Sequence, residues 1–449
     1  MSANDRKAVA RTPRDELIEA TFWHGSIEKG DALLARHPEL RATDIHLAAL
    51  VGDDEAVRRF LAEDPSSVRG KSGPRNVDPL TVLCFSAYLA DPARSDAFVR
   101  AATALLDAGA DINAGFHDDR YDEWESLLYG AAGVAFHPEL TRVLLERGGD
   151  PNDNETPYHA PETRDNRALR VLLDSGKLTQ ESLNMMLLRK TDWHDIEGVR
   201  LVLDHGADVN RMTRWGKTAL HNAILSNNGT DIIDLLLDRG ADPTIVAPRP
   251  SRGVVRLTGL SSVALAVRRG RADALASFRR RGFSIELDGA EKLIAACALN
   301  DRPAIDAITA KEPQLREEVL AQGATLLAEF AASANAGGVA CLLDLGVPVG
   351  ARYGGDAYFG TPANSTALHV AAWHAWQNVV ELLIARGADV NARDGDDRTP
   401  LMLSIRACTI SYWVSRCTTD GVRALLAAGA SKDGITLPTG HLDLDTLLE

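Results

Sequence analysis

An ending recurs along this chain, and it limits the possible folds more than any other feature. A pair of aliphatic residues is followed shortly by glycine and then by Asp or Asn. It reads LLDAGADIN (Leu105 to Asn113), LLERGGDPN (Leu144 to Asn152), LLDSGKL (Leu172 to Leu178), VLDHGADVN (Val202 to Asn210), LLDRGADPT (Leu236 to Thr244), LIARGADVN (Leu383 to Asn391) and LLAAGASKD (Leu425 to Asp433). Weaker copies are FRRRGFSIE (Phe278 to Glu286) and LLDLGVPVG (Leu342 to Gly350). Each predicts a helix terminus. The aliphatic pair faces inward, glycine supplies the left-handed conformation that stops the helix, and Asp or Asn favours the turn beyond. The copies lie roughly 28 to 42 residues apart, the range of a stacked-repeat architecture.

The beginnings repeat as well. TALH stands at Thr218 to His221 and again at Thr366 to His369. TPYH (Thr156 to His159), TPLM (Thr399 to Met402) and TDIH (Thr43 to His46) are variants. A Thr cap with Pro at the first helical position is a helix start. HLAA (His46 to Ala49) and HVAA (His369 to Ala372) put small residues next, which lets a second helix approach closely. Each unit therefore reads turn, helix, short loop, helix, turn. One such helix pair cannot bury its own apolar face, so stability has to come from stacking on its neighbours.

With these starts and ends the chain resembles the ankyrin repeat family. The resemblance implies an all-α fold, a helical-hairpin solenoid with β-turn fingers and inserted loops. It implies about ten or eleven units over nearly the whole chain. Residues 1–11 are expected to be a disordered N-terminus, residues 12–432 the solenoid, and residues 433–449 a C-terminal cap or tail. The first unit is degenerate, and units near 257–346 are weak. It also implies that His46, His159, His221 and His369 tie loops together, and that Asp111, Asp208 and Asp242 serve in turns. Tyr158 takes the slot of a buried Leu. HAPETRDN, from His159, puts Pro161 and Glu162 where two Ala residues belong, which weakens that helix and places polar groups in the groove.

Composition narrows the function. The net charge of -14 opposes generic phosphate binding, which needs clustered Lys and Arg. The five cysteines, Cys84, Cys297, Cys341, Cys408 and Cys417, include no CxxC pair. They read as buried apolar groups in a reducing compartment, with Cys408 and Cys417 near enough in sequence to pair under oxidising conditions. No apolar leader or membrane-length apolar run is seen, so a cytoplasmic location is expected. There is no HExxH, Walker lysine loop, GxGxxG after a strand or nucleophile elbow. No catalytic residue, cofactor or metal is therefore expected. His117 with Asp118 and Asp119, and His194 with Asp195, are the pairs that could do acid–base or metal chemistry.

The expected function is a non-catalytic scaffold that binds a partner protein through its groove and loop fingers. The alternative is an enzyme whose site is built from residues 189–221. Insertions and exposed aromatics supply the candidate contacts, because Trp, Tyr and Arg anchor interfaces. They are Trp124 in the acidic finger GFHDDRYDEWES, Arg189, Trp193 and His194, then Arg214, Trp215 and Lys217 ahead of Thr218. Trp373 and His374 follow HVAA, and Trp413 lies in the insertion 406–420. Arg249, Arg252 and Arg256 open a basic stretch that continues through Arg268, Arg269, Arg271, Arg279, Arg280 and Arg281. It offers a patch for an acidic partner, against the plainer reading of a solvated face.

Overall fold

A computed structural model describes residues 12–248, 259–285, 287–410 and 417–449. The expected disordered segment 1–11, Trp413, Arg249, Arg252 and Arg256 lie outside the described residues. The chain is mostly helical and divides into two compact units, Met1–Thr213 and Arg214–Glu449.

In the first unit, one row of helices runs Pro13–Thr21, Ile45–Val51, Pro79–Cys84, Leu127–Tyr129, Glu155–His159 and Gln180–Asp192, each packed on the next. A second row holds their partners Ile27–Arg36, Asp54–Glu63, Ser95–Asp107, Pro138–Glu146, Arg167–Asp174 and Ile196–Asp204. The aliphatic pairs do what their spacing predicts. Leu172 and Leu173 on Arg167–Asp174, and Leu144 and Leu145 on Pro138–Glu146, are buried. Each such side chain contributes about 1.5–3 kcal/mol of transfer energy. An antiparallel hairpin, Gly115–Asp118 with Glu123–Ser126, precedes the fourth row-one helix. Leu127–Tyr129 then runs into a π-helical turn, Gly130–Val134. Gly130 is needed there, because a methyl group would stand 2.7 Å from the carbonyl oxygen of Cys84.

In the second unit the first row is Ala219–Leu225, Ser262–Arg268, Ala290–Ala298, Gly323–Ala332, Ala367–Trp373 and Pro400–Thr409. The second row is Thr230–Asp238, Ala272–Arg280, Arg302–Lys311, Ala336–Leu345, Gln377–Ala385 and Asp420–Ala427. Gln314–Ala321 is an extra helix, and Leu442–Leu448 closes the chain, its Leu448 carbonyl accepting from Lys432 Nζ at 2.7 Å. The stacking is irregular where the motif is weakest. Ala290–Ala298 packs on Ala336–Leu345, while Ser262–Arg268 reaches Gly323–Ala332 directly. Asn335 stitches this junction. Its Nδ2 donates to the carbonyls of Gly270 and Ala298, each at 2.7 Å, and its Oδ1 accepts from Gly338 N at 2.7 Å. Asn335→Ala is expected to cost about 2 kcal/mol, read as a lower urea midpoint for the second unit. An unchanged midpoint would mean that solvent replaces all three bonds.

Thr218, Thr366 and Thr399 cap their helices. Two other starts shift, by one and by three positions. Asp44 rather than Thr43 is the cap of Ile45–Val51, and Asp153 accepts from Thr156 N and Oγ1 at 2.7 and 2.8 Å. Gly109, Gly206, Gly240 and Gly387 end their helices at φ between +81° and +94°, a region open to glycine without strain. Asp111, Asp208 and Asp242 accept from the backbone N–H two residues on. Cys84, Cys297 and Cys341 are buried free thiols, whereas Cys408 and Cys417 form a disulfide.

Candidate functional site

Four histidines share one motif slot, and three of them tie loops. His221 Nδ1 meets Thr218 Oγ1 at 2.8 Å and its Nε2 lies 3.2 Å from the Leu260 carbonyl. His369 repeats this with Thr366 (2.8 Å) and the Arg398 carbonyl (3.1 Å). His46 Nε2 faces the carbonyls of Gly70 and Val77 at 2.9 and 3.2 Å.

His159 does something else. Glu155–His159 stops at Ala160 because Pro161 follows, and Glu162 folds back with its N–H on the His159 carbonyl at 2.8 Å. The imidazole is then clamped between two carboxylates, Nε2 to Glu155 Oε2 at 3.2 Å and Nδ1 to Glu162 Oε2 at 2.9 Å. Glu162 also pairs with Arg189 of the neighbouring helix Gln180–Asp192, and Arg189 pairs with Asp192 at 2.5 Å. The result is an alternating ladder: Glu155, His159, Glu162, Arg189, Asp192. Burial opposes a charge on His159, but hydrogen bonds to Glu155 and Glu162 outweigh it and raise its pKa to about 9. Burial likewise opposes the Glu162 carboxylate, and His159 and Arg189 pull its pKa below the usual value.

Aromatic rings frame the ladder. Arg189 sits 4.2 Å over Tyr158, and the His159 ring is 5.1 Å from Tyr129 and 4.8 Å from Tyr158. Trp23 Nε1 donates to Tyr129 Oη at 3.3 Å. Arg75 stacks over Trp23 and Phe116, 4.9 Å from each ring. Beside them Glu125 is buried, and burial together with Glu155 and Asp118 raises its pKa to about 7. A half-buried face of rings and directed charges suits recognition by stacking and ion pairing. It suits proton abstraction poorly, since a histidine held protonated at neutral pH is a weak general base.

The other expected residues scatter. Trp193 is 37% exposed at the end of Gln180–Asp192, with His194 beside it at φ +51°. Asp195 does not serve His194. Its carboxylate pairs with fully buried Lys190 at 2.9 Å, accepts from Asn166 at 2.8 Å, and caps the next helix through Gly198 N at 3.0 Å. Trp124 stands on the hairpin, 48% exposed, and His117 lies between Asp119 and Asp122 at 3.3 and 3.1 Å. In the second unit Arg214 is exposed and stacks 4.7 Å over Trp215.

Three expectations need correction. Lys217, whose turn position predicts exposure, is only 5% exposed, because its ammonium turns inward to Asn222 Oδ1 at 2.5 Å. His374, whose place after HVAA predicts an exposed helix position, is 1% exposed under Phe359, while Trp373 beside it is half-buried and donates to the Phe359 carbonyl at 2.8 Å. The segment around residues 353–361 covers both, and Arg269, Glu329, Tyr353, Asp356, Phe359 and His374 line a small recess there. The described part of the basic stretch, Arg268 to Arg281, is not a free patch. Arg268 pairs with Glu291, Arg269 with Glu329, Arg271 with Asp273, Arg280 with Asp234, and Arg281 with Asp234 and Asp238, leaving Arg279 exposed on the helix end. Among the described residues no group of His, Cys, Asp or Glu has a metal-holding arrangement, and no helix is long and apolar enough to cross a membrane.

Comparison with known proteins gives the pattern a family. A model described as three copies of ankyrin repeats matches residues 180–247, and a single ankyrin-repeat model matches residues 364–395. The chain is an ankyrin-repeat protein. It is 30% identical over 234 residues to the poly(ADP-ribose) polymerase tankyrase of Caenorhabditis elegans, covering 51% of this chain and 9% of that one. It is 27% identical over 170 residues to an L-asparaginase of Dirofilaria immitis, covering 36% and 26%. It is 31% identical over 120 residues to an ankyrin repeat protein of Acanthamoeba polyphaga mimivirus, covering 25% and 15%. The chain thus spans about a quarter or less of the length of these relatives. The human ASB11 ankyrin repeat domain is similar at 21% identity, with a TM-score of 0.23, over 55% of this chain and 98% of that one.

Within this ankyrin-repeat protein the sequence marks part of the ladder. Pro161 and Glu162 break the motif, and Arg189 ends a row-one helix. Trp23, Arg75, Glu125 and Tyr129 carry no motif signal, because each reaches the cluster only through stacking of neighbouring pairs.

Proposed function

We propose that this ankyrin-repeat protein is a non-catalytic scaffold whose first unit holds a partner protein against the row-one face around the ladder. Ankyrin repeats generally mediate protein–protein interaction. The observation that carries the reading is the fate of His159: a slot that elsewhere ties loops is given over to a half-buried chain of charges framed by Tyr129 and Tyr158. Arg189, Trp193, His194 and Trp124 contribute in this unit, and Arg214, Trp215 and Trp373 are contacts of the second unit. A cytoplasmic setting belongs to this reading, resting on the three buried free thiols, with the Cys408–Cys417 disulfide as the observation set against it. The enzyme alternative draws little support, since Asp195 and Lys217 are engaged by Lys190 and Asn222.

The test is capture of partner by the tagged full chain beside its Trp193→Ala and Trp215→Ala variants. Trp193→Ala is expected to weaken binding by about 2 kcal/mol, roughly 30-fold, with the thermal midpoint unchanged. Full capture by both variants would remove these contacts from the proposal.

A further inference from the structure

The hairpin Gly115–Ser126 stands out from the rest of the first unit. Its twelve residues carry five carboxylates, Asp118, Asp119, Asp122, Glu123 and Glu125, against Arg120 and His117. The strand register sorts them. Phe116 pairs with Glu125 and Asp118 with Glu123 on one face, while His117 pairs with Trp124 on the other. Phe116 packs inward on Trp23, Phe22 and Phe85, which holds the base of the hairpin to the helices. The opposite face and the tip are open, with Trp124 48% and Tyr121 62% exposed and Asp119 and Asp122 in full solvent, and Glu123, though on the inward face by register, is part-exposed where the second strand leaves the tip.

The hairpin's negative charge is poorly neutralised from within. Arg120 lies 5.0 Å over the Tyr121 ring, and His117 faces Asp119 and Asp122. On the inward face Asp118 Oδ2 and Glu125 Oε2 are buried, and neither has a hydrogen-bond donor among the described residues. On the open side the exposed rings of Trp124 and Tyr121 share the hairpin tip with the solvent-exposed carboxylates Asp119 and Asp122, which favours a cation that gains from both the ring face and the charge.

We propose that this hairpin is a docking arm for a lysine- and arginine-rich segment of a partner protein. Trp124 and Tyr121 stack on the aliphatic stems and cationic heads of that segment, and Asp119, Asp122 and Glu123 pair with its charges. The proposal rests on the scaffold reading above, and names the chemistry of the partner.

The experiment uses the full chain and a fluorescein-labelled nona-arginine peptide, followed by anisotropy, with a nona-glutamate peptide for comparison. The intact chain is expected to bind nona-arginine and not nona-glutamate, more weakly as salt rises. Asp119→Asn/Asp122→Asn/Glu123→Gln is expected to weaken binding about tenfold or more, and Trp124→Ala about tenfold. A control triple, Glu63→Gln/Asp111→Asn/Glu181→Gln, removes the same charge from exposed positions elsewhere in the unit and is expected to change binding less than about twofold. Equal losses in the two triples would reduce the effect to net charge and overturn the proposal, as would no binding of nona-arginine. If the peptide fails while Trp193→Ala still loses captured partner, the cationic class falls and the scaffold reading stands. If the peptide binds through the hairpin while the Trp193 and Trp215 variants capture partner in full, the row-one contacts fall and the arm stands.

Discussion

Asp195→Ala is expected to destabilise the first unit by about 3–5 kcal/mol, the largest loss of any single change considered for this chain. Lys190 is fully buried on Gln180–Asp192, and its Nζ reaches the Thr163 carbonyl at 2.5 Å and Asp195 Oδ2 at 2.9 Å. Burial lowers the Lys190 pKa, with Asp195 working against that shift. Burial alone would raise the Asp195 pKa, and bonds from Lys190, Gly198 N and Asn166 bring it below the usual value. Removing the carboxylate strands an ammonium in the interior and also uncaps Ile196–Asp204, worth about 1 kcal/mol by itself. The double change Lys190→Met/Asp195→Asn removes both charges and keeps a capping side chain, so it is expected to cost about 1 kcal/mol or less. Urea unfolding followed by hydrogen exchange of the Gln180–Asp204 amides separates the two cases. An Asp195→Ala loss below about 1 kcal/mol would show that water reaches Lys190 after all.

The second large effect is a loss of stability on the alkaline side of neutrality. His159 has a folded pKa of about 9 against 6.5 for an unhindered histidine. A group whose pKa rises on folding contributes fully below the unfolded value and loses that contribution as pH climbs through the folded one. The window is therefore pH 6.5 to 9, and the loss is about 3 kcal/mol. Glu125 adds a step at lower pH. Its pKa rises from 4.5 to about 7 as burial and the neighbouring Glu155 and Asp118 favour the neutral acid. For a carboxyl group shifted upward, stability is highest below pH 4.5 and declines toward pH 7. Hydrogen exchange of the Glu155–Asp192 amides at pH 5, 7 and 9 tests both steps. His159→Gln is expected to flatten the upper step and Glu125→Gln the lower. Protection that stays level or grows between pH 6.5 and 9 would contradict the clamped, protonated imidazole.

These two sites differ in how legible they were. Pro161 and Glu162 mark a break in the repeat from the residues alone, yet nothing local says that Glu162 will turn back onto His159 and forward onto Arg189, 27 positions later. Lys217 precedes a helix cap like any exposed turn residue, and only the fold brings Asn222 to its ammonium. His374 follows HVAA as an exposed helix position would, and the segment around residues 353–361 buries it. The arginines near 268–281 look like a patch in one dimension. Their counter-charges, Asp234, Asp238, Glu291 and Glu329, come from neighbouring helices.

The histidine ties at His221 and His369, which reach carbonyls 39 and 29 residues on, follow from the family resemblance. The residues alone specify the helix pairs, the left-handed glycines that end them, and the threonine caps at Thr218, Thr366 and Thr399. These depend on contacts within a few residues or on a fixed period, so local chemistry and spacing suffice to specify them. Stacking of the helix pairs settles which charges are paired, which rings are covered, and that His159 departs from its siblings. Some of these pairings join distant residues, as Arg269 with Glu329 across 60 positions, and others join near ones, as His159 with Glu162 across three, but the energy of all of them depends on distance and burial that stacking creates.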